Sequence, residues 1–114
     1  MKYTLLKSKV DNFVLLLDEG FFDVNNYSEI EKELLEISFL YREEDKIEKK
    51  IVEIFYFFST SIASSFQFHI NESDIFEVEN ISTEKLKHYS DRASILIGIL
   101  LGMYSYLDKK YYFE

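Results

Sequence analysis

The chain predicts an all-α fold, a single-domain bundle of about four helices over residues 1–114 packed around a buried C-terminal helix. Three observations carry this. Apolar residues recur at steps of three and four along most of the sequence, which lines one face of a helix. The chain has no Pro and only three Gly, so little interrupts it. With 47% hydrophobic residues, including 11 Phe and 9 Tyr, its apolar content is enough to offset the entropy of folding.

The first helix carries Tyr3, Leu6, Val10, Phe13, Val14 and Leu17 on one face, and Gly20 supplies its stop. Asp23-Val24-Asn25-Asn26 then favours a turn, because Asx side chains satisfy nearby backbone groups. Ser28 and Glu31 have capping-box spacing and predict that the second helix starts there. Its stripe is Ile30, Leu34, Ile37 and Tyr41, with Glu29, Glu31, Glu33 and Glu36 on the flanks.

Arg42-Glu43-Glu44-Asp45 marks a break. A third helix follows with Ile47, Ile51, Ile54, Phe55, Phe58 and Ile62, and Phe66 as its extension. Over 67–81 the periodicity weakens to a short strand or an irregular loop. Ser82 or Thr83 caps the last helix, whose stripe is Leu86, Ala93, Ile97, Leu100, Tyr104 and Leu107. Ile95, Leu96, Ile99 and Leu101 fill the rest of its circumference, so it is expected at the centre of the bundle.

The run from Ala93 to Leu107 is 15 residues without charge, shorter than the roughly 20 needed to cross a bilayer. Gly98 and Gly102, spaced as in membrane helix pairs, are therefore expected to be close-packing points of a soluble core, and no membrane partner is expected. Lys7 and Lys9 interrupt the apolar stretch a signal peptide would need, which predicts a cytoplasmic protein.

The absence of Cys excludes thiolate nucleophiles, zinc-thiolate sites and iron–sulfur clusters. Glu84, His88 and Asp91 are spaced i, i+4, i+7 but fall opposite the apolar stripe, as a surface charge network would. His69 has Glu72 and Asp74 near it in sequence, yet two His in all cannot form a three-His zinc site. No phosphate loop, nucleophile elbow or His-Glu-x-x-His motif occurs. No enzyme and no cofactor are expected.

The net charge of −8 argues against a nucleic-acid partner, since phosphate affinity comes chiefly from Lys and Arg. It points to a basic protein instead. Residues 11–36 hold eight acids and one Lys, and residues 71–79 hold Glu72, Asp74, Glu77 and Glu79 with no base. The expected partner-binding residues are Glu72, Asp74, Glu77 and Glu79, then Glu29, Glu33 and Glu36. The tail, with Tyr104, Tyr106, Tyr111, Tyr112 and Phe113, is rich in residues that favour interfaces but equally suited to packing on the bundle.

In this combination of acidic 71–79 segment, Glu-rich 29–36 face, missing catalytic motif and small helical body, the chain resembles the immunity proteins of bacterial polymorphic-toxin and contact-dependent-inhibition systems. The resemblance is one of overall character and rests on no diagnostic motif. It implies a cognate toxin domain, often a basic nuclease, whose groove the acids would cover. A phage-encoded inhibitor of a host nucleic-acid-binding protein and a small membrane-associated helical protein are the alternatives.

Overall fold

The computed structural model describes residues 3–71, 73 and 75–104. Four helices form: α1 (Thr4–Asp18), α2 (Val24–Leu40), α3 (Lys49–Ile70) and α4 (Thr83–Leu100). Among the described residues there is no strand. The fold is an all-α bundle in which α4 lies against α3 and α2, and α1 packs on α2 and α3.

Leu6, Val10, Phe13, Val14 and Leu17 are buried along α1, as their spacing predicts. Gly20 (φ 92°) closes the helix in a Schellman turn, with Phe21 N–H donating to Leu16 O and Gly20 N–H to Leu17 O.

The second helix starts earlier than Ser28. Asp23 Oδ1 accepts from Asn26 N–H at 3.0 Å and caps a helix beginning at Val24. The extra turn puts Tyr27 on the same stripe as Ile30, Leu34 and Ile37, all four buried. Ser28 is an exposed helical residue, and Glu31 lies inside the protein. The apolar gain from Tyr27 and the Asp23 cap together override the capping-box spacing.

Residues 41–48 form the expected break, and Ile47 packs on the core from this link, before α3 begins. α3 then runs unbroken to Ile70, so residues 67–70, expected to be irregular, are helical. Ser59 and Thr60 hydroxyls donate to carbonyls one turn back, which lets a hydroxyl-rich segment remain helical.

Ser82 Oγ accepts from Lys85 N–H and caps α4, as expected. Leu86, Ala93, Leu96, Ile99 and Leu100 are buried, whereas Leu101 is exposed. The helix ends before Tyr104 because Gly102 (φ 77°) makes a second Schellman turn, with Met103 N–H donating to Gly98 O at 2.8 Å. Gly98 is the close-packing glycine: a Cβ there would lie 2.5 Å from the Tyr104 ring folded against it. Gly102 is a stop and not a packing point. Leu107 and the tail aromatics from Tyr106 onward lie outside the described residues.

At the centre every helix contributes one ring. Phe13, Tyr27, Phe58 and Tyr89 come from α1 to α4 in turn, and Phe22 joins from the α1–α2 link. Phe13 is edge-on to Phe22 at 5.2 Å between centroids, and Tyr27 lies 4.7 Å from Tyr89. Such offset and edge-on pairs add to the apolar burial.

Candidate protein-binding surface

The link between α3 and α4 lacks a repeating backbone pattern, so its groups need other partners. They find them in the α1–α2 link. Glu79 N–H donates to Gly20 O at 3.0 Å. The Asn80 carboxamide accepts from Phe22 N–H and donates to Phe22 O, at 2.8 and 2.7 Å. A Cβ on Gly20 would sit 2.7 Å from Glu77 O, so this crossing requires a glycine on conformational and steric grounds alike.

His69, at the end of α3, holds the same segment from the other side. Its Nδ1 accepts from Val78 N–H at 3.0 Å, which leaves the proton on Nε2 to be donated to Thr83 Oγ1 at 2.9 Å. Both ring nitrogens are thus occupied in joining α3, the loop and α4. Val78 itself is 1% exposed. Its two neighbours, Glu77 and Glu79, are exposed.

Glu77 and Glu79 take part in no ion pair among the described residues. Their backbone crosses beside Gly20, close in the chain to Asp18, Glu19 and Asp23. The segments 18–23 and 75–80 together carry five acids and no Lys or Arg. Glu72 and Asp74, grouped with Glu77 and Glu79 by sequence, lie outside the described residues.

The second acidic set is elsewhere. Glu29 and Glu36 are exposed on α2. Glu33 between them is bonded to Lys9 of α1 at 2.7 Å. That hydrogen bond, with the charge of Glu33, holds the Lys9 ammonium above the ordinary lysine range. This face is therefore partly neutralised, unlike the surface at 77–79.

Glu84, His88 and Asp91 are all exposed on the outer side of α4, where Asp91 pairs with Lys87 at 2.9 Å. Among the described residues no three His, Asp or Glu side chains gather as a metal site would require.

Sequence periodicity missed one polar group entirely. Glu31, expected on a flank of α2, accepts from Tyr27 Oη at 2.7 Å and from Arg92 Nε at 3.0 Å, with Arg92 Nη2 on its other oxygen. The bidentate pair joins α2 to α4 with little exposure on either side chain. Its only sequence signal is the i, i+4 spacing of Tyr27 and Glu31 together with the scarcity of Arg, one of two in the chain.

Burial, reinforced by the Glu31 charge, pushes the Tyr27 hydroxyl far above the ordinary tyrosine range. Below about pH 10 both folded and unfolded chains keep this proton, and stability is unaffected. Above it the unfolded chain alone releases the proton, so stability is expected to fall by about 1.4 kcal/mol per pH unit from this group. Urea unfolding between pH 8 and 11 checks this, because Tyr27→Phe should lack that component of the slope.

Two grooves flank α3. One, of about 630 Å³, lies between the first halves of α1 and α3 and carries Lys7 and Lys50 as well as Asp11, Glu48 and Glu53. The other, of about 470 Å³, lies between the ends of α1 and α3 and includes Asp18 and Phe76. The first sets three acids against two bases, whereas the second holds one acid and no base. The second adjoins the acidic crossing.

Among the described residues no helix is long and apolar enough to cross a membrane. Neither a protein-family model, nor a curated protein, nor a solved structure matches the chain.

Proposed function

We propose that this chain is an immunity protein that acts in the cytoplasm, binding and neutralising a cognate toxin domain, most suitably a basic nuclease, through acidic surface residues. One observation carries the reading. The 75–80 segment is fastened by Val78, His69, Asn80 and the Gly20 crossing, so Glu77 and Glu79 are held outward before any partner arrives. Little ordering entropy would be lost at that point on association.

The mechanism is charge complementarity. Carboxylates occupy the positions that substrate phosphates would take against a basic groove, which speeds encounter and fixes register. Co-expression with the product of the adjacent open reading frame tests it. A complex and restored growth are expected, and neither would be seen if the reading were wrong.

Within such a complex, the double substitution Glu77→Lys/Glu79→Lys should slow association about tenfold at low salt, with the difference shrinking as salt screens it. Reversing Glu29 and Glu36 should have a smaller effect, since Lys9 and Lys32 lie on or beside that face. Stopped-flow association at two ionic strengths measures both.

A further inference from the structure

The acidic crossing accounts for steering but not for what a partner would grip. The outer side of α3 beside it offers an answer. Phe57 and Phe68 are 43% and 51% exposed, and eleven residues of helix place them about 16 Å apart. Between them Ser61 and Ser64 line the same groove, so small side chains leave a trough bounded by two rings. Val14 and Asp18 of α1 form one wall, and Phe76 of the loop closes the end.

Ser65 places a polar point inside the trough. It is 5% exposed and lines this groove, yet its hydroxyl makes no hydrogen bond to any described residue, unlike those of Ser59 and Thr60 in the same helix. No buried side-chain nitrogen or oxygen among the described residues lacks a partner, so this hydroxyl is open to water. Here the side open to it is the groove.

Charge decides the class of occupant. Asp18 is the single charged residue lining the trough. Glu19 follows it in the chain, and Glu77 follows Phe76, so the rim beside the crossing is acidic and the trough has no base. From these features we infer that the groove between α1 and the second half of α3 is the docking site for a cationic segment of a protein partner. An apolar side chain of that segment enters between Phe57 and Phe68. Flanking Lys or Arg side chains meet Asp18 and Glu77, and the partner's backbone takes the Ser65 hydroxyl. This rests on the binding role proposed above and assigns the contact to this face and not to Glu29, Glu33 and Glu36.

The probe is a synthetic twelve-residue peptide alternating Lys with Leu and Phe, added to the full chain labelled with nitrogen-15. A counterpart with Glu in place of Lys serves as control. The Lys peptide should shift the amide signals of Val14, Asp18, Ser61, Ser64 and Phe76 and leave those of Glu29 and Glu36 in place, and the control should shift none. Ser64→Trp, a substitution at an exposed position that fills the trough, and Asp18→Lys should each weaken binding at least tenfold, with circular dichroism unchanged. Shifts centred on α2, shifts spread over every acidic surface, or undiminished binding by Ser64→Trp would overturn the assignment. So would sedimentation showing a dimer that Ser64→Trp dissolves, since the groove would then belong to self-association. If the adjacent gene product neither binds nor is neutralised while the peptide still maps to the trough, the proposed function fails and the docking site stands.

Discussion

Arg92→Ala is expected to destabilise the fold by about 3–5 kcal/mol, the range for leaving a buried charge without its partner. Glu31 would keep its place between α2 and α4 with only the Tyr27 hydroxyl on it. The bidentate guanidinium that now meets both of its oxygens would be gone. The same principle predicts that removing the whole network costs far less than breaking it. Tyr27→Phe/Glu31→Met/Arg92→Met replaces polar groups by apolar ones of similar size and should recover most of the loss. Urea unfolding of the three proteins gives the comparison. A loss below about 1 kcal/mol in Arg92→Ala would show that the pair behaves as an exposed ion pair instead.

Phe13→Ala is expected to cost about 3–5 kcal/mol, as large aromatic truncations in filled cores do. Its ring is fully buried and meets Phe22, Tyr27 and Phe58, so the cavity would open between α1, α2, α3 and the first link at once. No single neighbour can move in without leaving another ring. Leu5→Ala, at an exposed position on the same helix, should change stability by no more than about 0.5 kcal/mol. Thermal and urea unfolding, with near-ultraviolet dichroism to follow the aromatic packing, separate the two.

Much of this architecture was legible because helix burial has a period. Leu6 to Leu17 of the α1 stripe, Ile51 to Ile62 of the α3 stripe, and Leu86, Ala93 and Leu100 of α4 are buried as the spacing requires. What periodicity could not supply was anything held by contacts far apart in sequence. Phe22 reads as part of a turn, and only the Asn80 carboxamide 58 residues away explains why its backbone is fixed with the ring turned inward. Ser28 and Glu31 carry a local capping signal that Asp23 overrides, and Glu31 then serves a partner 61 residues on. Gly98 and Gly102 look alike in sequence and have different work, one admitting the Tyr104 ring and one reversing the backbone.

The candidate surface was legible as composition and not as placement. The run 71–79 announces its acids, but nothing local says that Glu79 meets Gly20 or that His69 holds Val78. The apolar trough left no mark because its residues alternate between α3 and α1. Phe57 falls off the predicted stripe of α3, and Phe68 falls in the 67–81 stretch where the periodicity weakens.

The crossing at Gly20 divides its residues cleanly by task. Gly20, His69, Val78 and Asn80 fasten the segment, whereas the side chains of Glu77 and Glu79 make no hydrogen bond or ion pair among the described residues. Positions 77 and 79 can therefore diverge between related chains while the four fastening residues stay constant. A lineage could exchange one binding preference for another by a few surface substitutions, with the bundle beneath inherited intact.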